Sequence, residues 1–578
     1  MVSVILIWIY ILITTFIIGY GVLRLITRHF PYQVKNWDAY VMCGIVCVTV
    51  YAQFFSLFAG VGLLTNGMLC AVCAGILWRE RKSLKALLLS YWTGKLPGSK
   101  KHVWGKGLLI LGLFLLFAYG TSRGMIHYDT GLYHAQSIRW IEEYGVVKGL
   151  GNLHCRLAYN SASFALSALY SMAFLRGRSF HCCAGFLAFL LAVICLKIGS
   201  SLRLGRLKAS DFARVMCVYY LVNIFDEMVS PASDYFMVLI AFYIVIRWLD
   251  LLESGEQTIL PYGLLCVLGV FLLTVKLSAA LILLLVIYPA YHLLREKKWR
   301  ETCVYLGLGI VTALPYLIRN VVISGWLVYP FTQIDLFSVV WKIPKGVADY
   351  DAREIQVWGR GYTDVTRFEM PVREWLPGWF QGLAGSDRLF VIAAVVSVFL
   401  LLLYAAGMVF RWWHRRWELL LVQGTVAASF LFWLCTSPLM RYGCVYVYLT
   451  VAVVGGGIYG AVMSDETDRI KERGQKGSVW RNMVKRAVLM LTILFLLYKG
   501  LALGREIVFS YENAYWLVQK DYENYETLSY QIEGVTFYYP IEGDQVGYDS
   551  FPSSPAKAEI SFLGDTLADG FIVKEPGL

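Results

Sequence analysis

Val4-Ile-Leu-Ile-Trp-Ile-Tyr-Ile-Leu-Ile-Thr-Thr-Phe-Ile-Ile-Gly-Tyr-Gly-Val-Leu-Arg-Leu-Ile26 is an apolar run whose single charge is Arg24. About twenty such residues, at roughly 1.5 Å each, match the thickness of a bilayer's hydrocarbon core. The run lacks a basic leading region and a small-residue cleavage site, so it reads as a membrane span rather than a signal peptide. Similar runs recur near 39–58, 61–78, 107–121, 160–175, 181–200, 212–225, 235–250, 260–275, 277–294, 303–322, 389–410, 418–435, 442–463 and 487–504. Over 578 residues the chain is 58% hydrophobic and 16% charged. Soluble proteins carry about a quarter charged residues. The fold class is therefore an all-α polytopic membrane protein. The net charge of +12 needs no nucleic-acid partner, because basic inner loops give the same total.

Lys and Arg gather on the cytoplasmic side of spans. That rule places Arg79–Lys106, Arg295–Arg300, Arg411–Arg416 and Arg469–Arg486 inside, and 121–160, 226–234, 323–388, 436–441 and 505–578 outside. The segment 505–578 carries 13 Asp+Glu against 4 Lys+Arg, which agrees. Both termini then fall outside, which demands an even number of crossings, whereas fifteen runs are present. The expectation is about 14 transmembrane helices, with 160–175 re-entrant, because non-spanning backbone at membrane depth is tolerated inside protein. Three parts follow: a three-helix module with its basic loop (1–106), a membrane core (107–504) with outer loops 121–160 and 323–388, and a small β-containing extracytoplasmic appendage (505–578).

The outer loop opens with Met125-Ile-His-Tyr-Asp-Thr-Gly-Leu-Tyr-His134 and continues through Arg139, Glu142 and Glu143 to Gly149-Leu-Gly-Asn-Leu-His154. Asp129, Tyr133 and Gln136 stand at i, i+4 and i+7, which predicts one shared helical face. Ile138, Ile141 and Tyr144 are expected against lipid, and Glu142 and Glu143 on a solvated face. Glycines at 145, 149 and 151 turn the chain back. Asp234 follows Ser230-Pro-Ala-Ser at the end of a span, where a carboxylate needs hydration or a partner. Lys276, Arg319 and Arg441 each sit at the outer end of a separate span. Such cations pair readily with phosphate oxygens. His127 and His134 are loosely spaced for metal ligation. No metal site or cofactor is assigned, and a divalent ion has no positive support.

These features resemble the GT-C superfamily of integral membrane glycosyltransferases, and more closely a group of large bacterial membrane proteins within it. The residues carrying the resemblance are His-Tyr-Asp129-Thr-Gly-Leu-Tyr133, Gly149-Leu-Gly-Asn-Leu-His154, the Ser-Pro-Ala-Ser-Asp234 loop, Lys276 and Arg319-Asn320. The similarity runs from about residue 107 onward, and Thr130 stands where many members carry a second acid. The resemblance implies a GT-C-like core in the bacterial cell membrane. It also implies sugar transfer from a polyprenyl-phosphate-linked donor to a glycan, lipid or protein acceptor at the outer face. Asp129 would be the base. Lys276, Arg319 or Arg441 would steady the leaving phosphate. Tyr133, His134, His154 and Asp234 would contact substrate, with membrane lipids around the site. The competing readings are a transporter or flippase of lipid-linked glycans, and a polymerase or ligase using them.

Overall fold

The computed structural model describes residues 1–30, 32–92, 103–175, 177–411, 417–469, 476–513 and 515–574. Parts of three predicted basic loops (93–102, 412–416 and 470–475), and Arg176 of a fourth polar link, lie outside the described residues.

Apolar runs in hydrocarbon must satisfy their backbone groups internally, and they do so as helices. Eleven helices among the described residues are long and apolar enough to cross a membrane. Helices Ala162–Leu175 and Ile259–Val275 are apolar but shorter. The chain is a multi-pass α-helical membrane protein with a small C-terminal β appendage.

Helices Val2–Thr27 and Trp37–Phe55 make the closest approach. A Cβ on Gly19 would lie 1.8 Å from the Tyr40 carbonyl oxygen, and one on Gly44 1.8 Å from that of Thr15. Small residues let membrane helices touch backbone to backbone in this way. The N-terminal helices are not a separate body. Trp8 donates its indole N–H to the Cys182 carbonyl at 2.9 Å, and Val4, Trp8 and Ile45 share one hydrophobic core with Phe164 and Phe186.

Both ends of the described chain meet on one face. The Met1 ammonium donates to the Tyr515 carbonyl at 2.5 Å, and Lys520 N–H to the Ser122 carbonyl at 2.8 Å. This tail face also carries the 121–160 loop. Residues 160–175 form the nine-residue helix Ala162–Tyr170 and a short 3-10 turn. At about 1.5 Å per residue that helix is too short to cross. The chain after it returns to the tail face, where Ser179 donates to Glu142 at 2.8 Å.

The appendage holds two antiparallel strand pairs, Thr527–Ile532 with Val535–Pro540 and Ile560–Phe562 with Phe571–Val573. Phe537, Phe562 and Phe571 close its core. It clamps the 121–160 loop: Val546 and Gly547 N–H both reach the Gly131 carbonyl at 2.8 Å, and Phe571 N–H reaches that of Lys148 at 2.9 Å.

That loop departs from three expectations. Thr130–His134 is a π-helical turn feeding the helix Ala135–Glu143. Its wider turn shifts the register, so Asp129, Tyr133 and Gln136 do not share a face. Asp129 meets Arg441, whereas Gln136 donates to Gly547 and Ser550 carbonyls of the appendage. Ile138 and Ile141 face the protein core rather than lipid, and Tyr144 stacks on Phe551 of the appendage. Glu142 is not on a solvated face. It accepts from Ser179 and Tyr548, and burial pushes its carboxyl above the usual range.

Candidate functional site

The helix Val103–Ser122 delivers the chain to the tail face, where Gly124 turns it at φ +108°. A Cβ there would lie 2.0 Å from the Asp226 carbonyl oxygen, so the glycine permits the close approach. The 224–232 loop then holds the entry to the site. Met125 N–H donates to the Asp226 carbonyl at 2.7 Å, and His127 N–H to Ser230 Oγ at 2.7 Å. Arg123 pairs with Asp226 and Glu506 at 2.8 and 2.7 Å, which makes Asp226 a framework acid.

Asp129, buried at 7% exposure, places Oδ2 2.9 Å from Arg441 Nη2. Arg441 Nη1 lies 2.9 Å from His127 Nε2. A guanidinium only donates, so Nε2 accepts and the ring proton belongs on Nδ1. The Asp129 N–H that faces Nδ1 at 3.1 Å then has no acceptor there, because a neutral imidazole accepts at one nitrogen. Burial lowers the His127 pKa, opposed by Asp129 and reinforced by Arg441. His127 is a neutral support for the arginine.

Asp234, in the first turn of the helix Ser233–Ser254, pairs with Lys276 at the end of the helix Ile259–Val275. Tyr442 joins the two ion pairs. Its ring centroid is 4.1 Å from Lys276 Nζ and 5.1 Å from Arg441 Cζ, a geometry that favours cations. Four segments distant in sequence thus bring two carboxylates, two cations and one phenol ring together. The cation side chains remain 21% and 28% exposed, so each keeps N–H donors for a further anion.

The other predicted residues fall into two groups. Tyr133 and His134 lie behind Asp129. Tyr133 packs on Tyr159 and Phe164, and His134 Nδ1 sits 3.2 Å from Thr130 Oγ1. Burial drives His134 well below the usual histidine range. His154 and Arg319 stand apart from the ion pairs. Burial, with Arg156 nearby, pushes His154 down to about 3. Arg319 is 2% exposed and donates to Asn160 Oδ1 at 2.9 Å and to Ser56 Oγ. Trp341 gives its indole N–H to the Val321 carbonyl at 3.2 Å.

Two features lie beyond the predicted site residues. Asp351, from the 323–388 loop, is 2% exposed, accepts from Tyr159 at 2.7 Å, and has its pKa raised by burial. Arg156, paired with Glu354 at 3.3 Å, lies within electrostatic reach of both Asp129 and Tyr133. A lone acid in an amphipathic loop helix carries no signal that it will be buried. On the far face, a mainly apolar cavity of about 380 Å³ opens between Met42, Val46, Arg247, Leu264 and Val311. Among the described residues, no group of three or more His, Cys, Asp or Glu side chains is placed to hold a metal ion.

Residues 1–448 match the family model described as Domain of unknown function (DUF8201). No curated protein and no solved structure matches the chain.

Proposed function

The chain belongs to the DUF8201 family, whose model takes in every residue of the ion-pair cluster and stops before the appendage; from that premise we propose a membrane glycosyltransferase that uses a lipid-phosphate-linked sugar. The observation that carries the reading is the convergence of Asp129, Asp234, Lys276, Arg441 and Tyr442 at one end of an apolar helical bundle. A polyprenyl tail stays in the bilayer there while its phosphate reaches the two half-open cations. In this reading the enzyme crosses the bacterial cell membrane about fourteen times, with both termini and the site outside.

An arriving phosphate competes with the two carboxylates for Lys276 and Arg441. Drawing Arg441 to the phosphate releases Asp129 as a base. The acceptor hydroxyl oxygen forms the new bond to the anomeric carbon as its proton passes to Asp129. The bond from that carbon to the phosphate oxygen breaks, and the electron pair leaves with the phosphate, held by the cations. Tyr133, packed behind Asp129, keeps the π turn in place. The acceptor is a glycan, lipid or protein hydroxyl.

Asp129→Asn tests this reading. The expected outcome is accumulation of lipid-linked sugar and a fall in transfer of about 10²–10⁴-fold, the range for a lost general base. Unchanged surface glycan at normal protein level overturns it. The apolar cavity on the far face favours one alternative, translocation of a lipid-linked glycan between leaflets. Purified protein in liposomes separates the two: a sugar lipid that changes leaflet without forming a new glycosidic bond supports the transporter.

A further inference from the structure

The far-face cavity, about 380 Å³, falls within the range of small-ligand pockets, roughly 300–1,000 Å³. It is graded along its length. Lys35, Asn36, Lys197, Arg247 and Asp250 line its far-face end, and Val46, Val50, Leu268 and Leu308 line its depth. The Thr312 hydroxyl deep in the wall is spent on the Leu308 carbonyl at 2.7 Å. Along the helix Trp37–Phe55 the lining extends from Ala39 to Val50. That stretch covers about 16 Å at roughly 1.5 Å per residue, and one leaflet supplies about 15 Å of hydrocarbon. Val311, also in the wall, is 60% exposed, next to exposed Ile310 and Leu314 of its own helix. The cavity is therefore a groove that opens sideways to the lipid around the bundle.

The mouth of this groove carries charges of both signs. Arg247 is committed to Asp38 at 2.6 Å and Asp250 at 3.1 Å. Lys35 and Lys197 sit at the rim, with side chains 64% and 52% exposed. Lys35 gives one N–H to Glu256 at 2.8 Å, and Lys197 one to Asp250 at 2.6 Å. An ammonium has three donors, so both lysines keep donors for a ligand. In the ion pairs around the mouth, Lys35, Lys197, Arg214 and Arg247 stand against Asp38, Asp211, Asp250 and Glu256. A net anion at the rim would gain the lysines but meet the acids behind them. A headgroup with one charge of each sign complements both.

We propose that the groove seats one acyl chain of a bilayer phospholipid whose headgroup is a zwitterion of phosphate and ammonium. The phosphate oxygens accept from Lys35 and Lys197. The headgroup ammonium donates to Glu256, whose carboxylate has lone pairs beyond those used by Lys35. The chain lies between Val46 and Val50 on one side and Leu268 and Leu308 on the other. Bound there, the lipid packs the N-terminal pair of helices against the helices Ile259–Val275 and Trp299–Ser324. This inference does not depend on the transferase reading, because its readouts are lipid binding and stability.

The test uses the full-length protein in detergent, washed free of lipid and titrated with phosphatidylethanolamine, phosphatidylglycerol or diacylglycerol carrying the same acyl chains. Native mass spectrometry counts the bound lipid, and the thermal midpoint is followed in parallel. The expected result is one saturable equivalent of phosphatidylethanolamine that raises the midpoint. The other two lipids should bind at least about 3-fold more weakly, the worth of one hydrogen bond. Val46→Trp fills the groove and should abolish that equivalent. The double variant Lys35→Gln with Lys197→Gln should weaken it roughly 3–10-fold through lost bonds to the phosphate. Those lysines sit on the rim, so the double variant decides the matter even if Val46→Trp does not fold. Binding of either other lipid as tightly as phosphatidylethanolamine, or undiminished binding in the double variant, would overturn the site. So would a polyprenyl lipid that co-purifies as the single bound equivalent.

Discussion

The two ends of the bundle each hold a cluster of charges, and they are built differently. On the far face, Asp250 takes three cations: Lys197 at 2.6 Å, Arg214 at 2.6 Å and Arg247 at 3.1 Å. Arg214 also binds Asp211 at 3.2 Å, and Arg247 binds Asp38 at 2.6 Å with Tyr243 donating to the same acid. Arg214 is wholly buried, and each arginine serves two carboxylates. On the tail face Arg123 is saturated in the same way by Asp226 and Glu506, but Lys276 and Arg441 each have one carboxylate, share the Tyr442 ring and keep an open side. A saturated network holds helices together; an unsaturated one keeps donors for a ligand. In the proposed reading it is this contrast, more than the presence of charge, that favours the tail face as the ligand site.

The comparison can be broken at either end. The largest effect should come from Asp129→Asn, which costs the proposed transfer about 10²–10⁴-fold while leaving the thermal midpoint nearly unchanged. A matching collapse of stability would make Asp129 a framework acid like Asp250. Next comes Arg214→Met. It strands Asp211 and part of Asp250 in the bundle, and it should cost about 3–5 kcal/mol, the range for an orphaned buried charge. Lower folded yield and thermal midpoint in detergent report it, and a neutral result would remove the saturated network from the argument. Lys276→Met and Arg441→Met leave the buried Asp234 and Asp129 without their counter-charges and should cost about 3 kcal/mol, the low end of the range for an orphaned buried charge. Each should also weaken binding of a polyprenyl phosphate in detergent, with its alcohol as the control.

The last comparison is a pH dependence. Burial pushes His154 and His181 down to about 3. A depressed histidine contributes stability that is present above its unfolded pKa of about 6.5 and is lost as pH falls toward the folded value. The thermal midpoint should therefore decline below about pH 6.5, and His154→Gln with His181→Gln should flatten that decline. An unchanged slope in the double variant would assign the acid sensitivity to other groups.

Asp129, Asp234, Lys276 and Arg441 were legible because an isolated charge at the end of an apolar run is costly and stands out. Arg319 carried the same signal and pointed elsewhere. It faces Asn160 and Ser56 because of how its helix is rotated in the bundle, and hydropathy has no term for rotation. The far-face network was illegible for a related reason. Asp211 with Arg214, and Arg247 with Asp250, are neighbours at i, i+3 on their own helices. They look like ordinary solvated pairs until a third helix buries them.

The amino-acid sequence by itself determined that this protein is a bundle of membrane helices with a polar loop after residue 121 and a small acidic appendage. Burial of apolar side chains and internal satisfaction of backbone groups are nearly additive along the chain, so they can be read one segment at a time. Only the tertiary structure decided which charges meet. It paired Asp129 with Arg441 rather than Arg319, placed Tyr442 between the two cations, and turned Ile138 and Ile141 into the core through a π-helical register shift. Those outcomes depend on rotations and crossings of distant helices, where a shift of one residue exchanges a partner for a wall.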